Sequence, residues 1–250
     1  MLESLPRPAI FAHRGASAYA PENTLAAFEA ALEQGADAIE VDAGLSADGH
    51  VVVIHDAEVD RTTGGRGLVG EMSLAGLRAL DAGGYFSERF RGEKIPTLEE
   101  VFESFGRRTF INVELKNRGG TGDHLVDSVC ALVRRCRLQA QVMFSSFQAG
   151  ILAGARALLP EVACGLLAPK GLPGAWSRSF GFAFGSYQAL HPNLVDVTIQ
   201  QIQRVHRLKR RVHAWTVNSD ADMRRLFGWG VDGIFTDDPG LAVRVRGESG

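Results

Sequence analysis

Two strand-like runs carry charged side chains where buried backbone should carry apolar ones. Ala38–Ala43 reads Ala-Ile-Glu-Val-Asp-Ala, and Phe110–Lys116 reads Phe-Ile-Asn-Val-Glu-Leu-Lys. Successive side chains of extended backbone face opposite ways. Ile39 and Val41 therefore share one face, and Glu40 and Asp42 the other; Asn112, Glu114 and Lys116 likewise oppose Ile111, Val113 and Leu115. Two carboxylates about 4 Å apart repel by roughly 4 kcal/mol at an effective dielectric of 20. If Glu40, Asp42 and Glu114 meet, either they protonate or cations sit among them. Oxygen ligands from neighbouring strands are what a hard divalent ion such as Mg2+ or Ca2+ takes. Zinc is disfavoured, because no cysteine lies among the candidates. A plain ion-pair network with Lys116 and Arg14 is the alternative.

Two histidines can join this cluster. His13, with Arg14 beside it, follows the apolar run Ala9–Ala12. His55 follows Val51–Ile54, which comes after Asp48-Gly49, a strong hairpin signal. A two-residue turn at Asp48-Gly49 pairs positions that sum to 97 and sets Asp42 opposite His55. A mouth with two imidazoles, a cation and a lysine suits cleavage of a phosphoryl ester. The cation and Lys116 offset phosphate charge, while one imidazole takes a proton and the other gives one.

Short apolar runs alternate with helical patterns along most of the chain, and these elements must position the cluster. Strands are expected at Ala9–Ala12, Ala38–Ala43, Phe110–Leu115, Val142–Ser145, Val162–Leu167, Ala189–Leu190, Val212–Val217 and Gly233–Thr236. Helices are expected at Asn23–Gln34, Leu98–Phe105, Asp123–Arg135, Gln148–Leu158, Thr198–Leu208, Ala221–Phe227 and Gly240–Val245, with a less regular pattern over Gly174–Phe184. About eight strand–helix units point to an α/β TIM-type barrel, in which the C-terminal strand ends converge on one face. The competitor, an open doubly wound sheet, lacks a G-x-G-x-x-G after the first strand. One domain, 1–250, is expected. The Gly-rich stretch 57–96 is read as a small insertion over the C-terminal face, with a short helix at Leu74–Leu80.

With 45% hydrophobic and 22% charged residues in 250, the composition is that of an ordinary globular protein. The net charge of −2 argues against a nucleic-acid or anionic-lipid partner acting through a global field. No apolar run approaches a membrane span. Cys130, Cys136 and Cys164 have no zinc spacing and read as small core residues in a reducing compartment. The start, Met1 to Pro8, has no apolar signal region, so a cytoplasmic location is expected.

His13-Arg14-Gly15, Pro21-Glu22-Asn23-Thr24, Glu40-Val41-Asp42, His55-Asp56, Arg61-Thr62-Thr63, Ile95-Pro96-Thr97-Leu98, Glu114-Leu115-Lys116, Trp215-Thr216-Val217-Asn218 and Thr236-Asp237-Asp238-Pro239 occur in this order. With that ordered set the chain resembles the glycerophosphodiester phosphodiesterases, from about residue 9 to 240. The resemblance implies a TIM-type barrel with an insertion after the second strand. It also implies hydrolysis of a glycerophosphodiester to glycerol 3-phosphate and an alcohol. Position by position, Glu40, Asp42 and Glu114 match the family's metal ligands for Ca2+ or Mg2+, and His13 and His55 its acid–base pair. Arg14 and Lys116 match phosphate-contacting groups, and Trp215 a residue lining the substrate. The nucleophile is either water or the substrate's own glycerol hydroxyl. After Asp42, Ala43-Gly44-Leu45-Ser46 departs from the family's usual β-branched pattern.

Other residues read more plainly. Asn23 is expected to cap a helix. Arg61, Thr62 and His191 are lesser site candidates, and Asp56 either orients His55 or caps a turn. His213 reads as a core residue, His50, His124 and His206 as surface positions, and the arginines of 204–211 as a solvated face. The aromatic stretch 169–184 carries no family signature and is expected to cover the barrel. Two other functions stay open: a barrel lyase or aldolase with Lys116 as Schiff-base nucleophile, and a phosphodiester-binding protein without catalysis. Glu114 beside Lys116 favours the protonated amine, which opposes the first.

Overall fold

In the computed structural model, which describes residues 2–116 and 124–248, eight parallel strands close on themselves. They are β1 (Ala9–Ala12), β2 (Ala38–Leu45), β4 (Phe110–Leu115), β5 (Val142–Ser146), β6 (Ala163–Ala168), β7 (Ala189–Pro192), β8 (Arg211–Ala214) and β9 (Gly233–Thr236); β3 (Val51–Val53) runs antiparallel to β2 outside the ring. The barrel closes where β1 pairs with β2 on one side and β9 on the other. This is the expected TIM barrel. Its helices lie between strands: α1 (Leu25–Glu33), α2 (Leu74–Ala79), α3 (Leu98–Phe105), α4 (Leu125–Cys136), α5 (Ala149–Leu158), α6 (Leu172–Ala175), α7 (Phe180–Phe184), α8 (Ile199–Arg207), α9 (Asp220–Gly228) and α10 (Pro239–Glu248). Asp123, placed in the fourth of these by the sequence, lies outside the described residues. β8 ends three residues earlier than its apolar run, and Trp215 sits beyond it at the mouth.

Strand alternation sorts the side chains. Ile39, Val41, Ile111 and Val113 face outward into the layer between sheet and helices. The inner face is graded along the strand direction. Ala38 and Phe110 pair at the lower end, in an apolar plug with Phe11, Met143, Phe235 and the N-terminal Leu2 and Leu5. Glu40 pairs with Asn112 one step higher, and Asp42 with Glu114 at the top. A barrel interior has no water channel to solvate these groups, so the strands carry their polar residues where the barrel opens.

The hairpin differs from expectation by one residue. Observed pairs such as Ala43 with Val53 and Leu45 with Val51 sum to 96, and the Ile54 amide donates to the Asp42 carbonyl at 2.9 Å. The loop has three residues, Ala47 to Gly49, closed by Ser46 and His50, with Gly49 at φ +81°. A left-handed glycine at the third position is what a three-residue hairpin needs. Asp42 thus faces Ile54, and His55 reaches the mouth one residue past the ladder. Val52 and Ile54 turn instead into a small separate core with Val59, Val69, Leu77 and Ile95, so residues 57–96 fold around the back of β3.

Polar residues elsewhere correct the sequence reading. His191 does not face the mouth: it is wholly buried beside His213, with Nε2 of one 3.2 Å from Nδ1 of the other. Arg211 is buried, not solvated, whereas Arg204 and Arg207 are exposed. His206 is exposed but meets the buried Asp232 at 2.7 Å. The three cysteines are free thiols, and Cys130 and Cys164 belong to the core. No helix among the described residues is long and apolar enough to cross a membrane.

Burial pushes the His191 imidazole down to about 3 and, with His191 adjoining, holds His213 well below its ordinary value. Unfolded imidazoles take up protons below about 6.5 and these two do not. The unfolded state therefore binds more protons, and stability falls as pH drops from 6.5 toward 3. Each histidine is expected to contribute a slope of roughly 1.4 kcal/mol per pH unit in this window. Urea denaturation at several pH values should show a flatter stability profile for the His191→Leu/His213→Leu double variant than for wild type. An equal slope would refute the assignment.

Candidate active site

The pocket at the C-terminal end of the barrel is lined by residues in or just after seven of the eight barrel strands and after β3, among them His13, Arg14, Glu40, His55, Glu114, Lys116 and Trp215. Asp42, the cross-strand partner of Glu114, is buried at 1% exposure. One carboxylate oxygen from each of Glu40, Asp42 and Glu114 falls within 4.8 Å of the others. Adjacent strand registers bring them there: Asp42 and Glu114 are cross-strand partners, and Glu40 is two residues below Asp42 on the same face.

The electrostatics are unequal within this triad. Burial, reinforced by Asp42 and Glu114, raises Glu40 well above the ordinary carboxylate range. Burial and the Asp42 charge also raise Glu114. Burial opposes ionisation of Asp42 as well, but Lys116, Arg14 and His55 outweigh it and hold this carboxyl well below its ordinary value. The Lys116 ammonium bridges Asp42 at 3.1 Å and Glu114 at 2.8 Å. Burial opposes its charge, yet those two acids keep its pKa above the ordinary lysine value. A lysine so held is a poor Schiff-base nucleophile.

Arg14 sits in a left-handed turn at φ 57°, which aims its backbone amide at Glu40 Oε2, 2.9 Å away. Its guanidinium reaches Glu22 at 2.8 Å and approaches Asp42 at 3.3 Å. Arg61 of the insertion forks onto the same Glu22, with both contacts at 2.7 Å, and also pairs with Asp56. Asp56 in turn holds His55 Nδ1 at 2.6 Å. The insertion is thus tied to the pocket through Arg61, and Asp56 orients the imidazole. His13 is held the same way: its Nδ1 meets Asp237 Oδ1 at 2.7 Å, an oxygen that also accepts from Ser17 Oγ at 3.0 Å. Asn218 Nδ2 donates to the other oxygen of Asp237. A carboxylate fixing Nδ1 sets the tautomer and leaves Nε2 as the nitrogen for chemistry. Burial, partly countered by Asp42, keeps the His55 pKa below its ordinary value, which favours the neutral ring.

Asn23 is not the helix cap. Thr24 caps α1, its hydroxyl accepting from the Ala27 amide at 3.2 Å. Asn23, at φ 58°, donates its Nδ2 to Asp42 Oδ2 at 2.8 Å and accepts the Asp42 amide on Oδ1 at 3.3 Å. Asparagine tolerates this backbone region better than most residues, so one side chain pins both the backbone and the carboxylate of Asp42. Trp215 donates its indole N–H to the His191 carbonyl at 2.7 Å and meets Phe147 edge-on, giving the pocket an apolar wall. Thr62 is buried near Glu22 and Ile54, behind that mouth. Sequence reasoning missed Glu22, Asp237 and Asn218. All three lie in quoted motifs, but polar loop residues have no periodicity to reveal their partners.

The donor set fits a hard cation. It is all oxygen, it holds more carboxylate than Lys116 and Arg14 offset, and the Oδ1 of buried Asn112, beside Glu40, has no hydrogen-bond partner. Three acids that could hold a metal ion, two carboxylate-oriented imidazoles and two cations at the mouth of a parallel barrel suit a phosphoric diester hydrolase. The chain belongs to the glycerophosphoryl diester phosphodiesterase family, whose model matches residues 13–241. A glycerophosphodiester phosphodiesterase of Caldanaerobacter subterraneus subsp. tengcongensis is 38% identical over 242 residues, covering 96% of this chain and 98% of its own. Another, from Bacillus subtilis, is 35% identical, covering 94% of this chain and 85% of its own. Among solved structures, an Oleispira antarctica phosphodiesterase in complex with the product sn-glycerol-3-phosphate superimposes with a TM-score of 0.87 at 33% identity, over 96% of this chain and 97% of that one.

A cation bound by the triad should stabilise the fold by mass action. Adding Ca2+ or Mg2+ is expected to raise the melting temperature of wild type above its value in EDTA. Glu40→Gln keeps the size of the buried Glu40 side chain and removes its charge, which burial and the neighbouring acids disfavour. Its melting temperature in EDTA should be no lower than that of wild type, and it should rise little with either ion. An equal gain in the variant would remove Glu40 from the ligand set.

Proposed function

We propose that this pocket hydrolyses glycerophosphodiesters to glycerol 3-phosphate and an alcohol, with His13 and His55 as the acid–base pair. The observation that carries this reading is the twofold repetition of one device: two imidazoles in one pocket, each with Nδ1 on a carboxylate, flank an acidic triad. Family membership and the product bound to the Oleispira antarctica relative support the substrate class.

Charge on the phosphate is met by this chain's own Arg14 and Lys116. When bound on Glu40, Asp42 and Glu114, a divalent ion such as Ca2+ or Mg2+ supplies Lewis acidity for a phosphate oxygen. One imidazole Nε2 takes a proton from the nucleophile as the new P–O bond forms. The other delivers a proton to the departing alkoxide oxygen as the old bond breaks. The nucleophile is either water or the substrate's glycerol hydroxyl, whose cyclic phosphate product water then opens with the same proton transfers. Asp237 and Asp56 stabilise whichever ring is positive. Trp215 and Phe147 give the non-ionic part of the substrate an apolar wall and exclude water from one side.

His13→Ala should keep the circular dichroism of wild type and lose at least 100-fold in kcat, the lower range for a general acid or base. The check is a coupled assay of glycerol 3-phosphate release from glycerophosphocholine, glycerophosphoethanolamine and diglycerol phosphate. The same assay should stop in EDTA and resume with Ca2+ or Mg2+. Near-normal turnover by His13→Ala would overturn the assignment. Binding of glycerophosphocholine by wild type without any product release would instead indicate a non-catalytic binder.

A further inference from the structure

The stretch 169–184 between β6 and β7 reaches the barrel core through Phe182 alone among its large apolar side chains. It presents most of its large apolar side chains to solvent: Leu172 is 90% exposed, Phe184 85%, Phe180 69% and Trp176 58%. This is the reverse of the usual arrangement, in which surface helices turn polar faces outward. The platform beneath is firmly built. Arg178 donates to the Pro169 carbonyl at 2.7 Å and to the Gly171 carbonyl at 2.8 Å, and pairs with Asp196 at 3.0 Å. Phe182 alone turns inward, where it stacks on Tyr187 and lies under Arg210, whose guanidinium donates to its carbonyl at 2.6 Å. Gly181 lets the Trp176 ring lie across α7; a Cβ there would meet that ring at 2.3 Å. Phe180 and Phe184 stack parallel at 6.3 Å. Four apolar side chains are therefore held outward by a polar brace.

We propose that this face docks on a phospholipid surface. Residues 169–186 contain no aspartate or glutamate, while Lys170 stands exposed among the apolar groups. An aromatic and leucine tip with a flanking cation and no acid suits the interfacial zone of an anionic bilayer. A stable protein interface draws on about 20–30 residues a side, more than this single segment offers, so a second copy fits less well. The segment follows β6, whose Leu167 lines the catalytic pocket, so docking holds the mouth close to the surface from which glycerophosphodiesters derive. The docking itself does not depend on the reaction.

The test is co-sedimentation with vesicles of phosphatidylcholine and phosphatidylglycerol at about 1 mM lipid, where a single marginal anchor already partitions. Wild type should pellet with the vesicles. Phe180→Ser/Phe184→Ser should show a partition coefficient lower by roughly tenfold or more, since each change withdraws a large apolar side chain from the interface. A second variant, Leu172→Ser/Trp176→Ser, probes the other half of the same face and should behave alike. Both variants should hydrolyse soluble glycerophosphocholine at the wild-type rate. Wild type remaining in the supernatant, or both variants pelleting as well as wild type, would overturn the proposal. So would a concentration-dependent dimer that both variants abolish, which would assign the face to a second copy. Vesicle binding by a chain that releases no glycerol 3-phosphate would support docking and refute only the functional reading.

Discussion

Everything at the mouth of this barrel follows from three carboxyl groups placed on the inner faces of two adjacent strands. Glu40, Asp42 and Glu114 are brought within 4.8 Å by backbone register alone, before any side-chain interaction acts. Their repulsion in a buried setting has to be offset. The surrounding residues do so unequally. Lys116 and Arg14 favour the charge of Asp42, Asn23 fixes its orientation, and Glu40 is left nearest to protonation. An ion is the natural remaining partner for a cluster built entirely of oxygen donors.

The histidines depend on the same cluster in a second way. Each is fixed by an acid outside the triad, Asp237 for His13 and Asp56 for His55. Those acids are fixed in turn by Asn218 and Ser17 on one side and by Arg61 on the other. Arg61 also clamps Glu22, the partner of Arg14. A continuous polar chain therefore runs from His55 through Asp56, Arg61, Glu22 and Arg14 to Asp42. This gives the small insertion a role in positioning the site, although its own apolar core is separate.

The barrel and the centre of the site were legible because both rest on short-range pattern. Strand alternation exposes Glu40, Asp42 and Glu114 as misplaced charges, and repeated strand–helix units imply the closed sheet. What was hidden rests on geometry that the pattern does not encode. The hairpin register moved by one because Ser46–His50 closes around three residues rather than two, so His55 reaches the mouth beyond the ladder. Asn23 looks like a cap because Asn and Thr both cap helices; only the left-handed backbone at Asn23 shows that the cap is Thr24. Asp237 and Glu22 sit in loops, where nothing in sequence distance predicts a partner more than 200 residues away or across the insertion. The outward apolar face of 169–184 is not legible in the sequence because aromatic residues usually lie inside, and here only Phe182 does.

The central claim is that one cation sits among Glu40, Asp42 and Glu114. Anomalous diffraction from crystals grown with Mn2+ tests it most directly. The structure predicts a single strong peak within coordination distance of all three carboxylates. A map with Lys116 still bridging Asp42 and Glu114 and no peak there, from crystals whose protein is active with that ion, would contradict it.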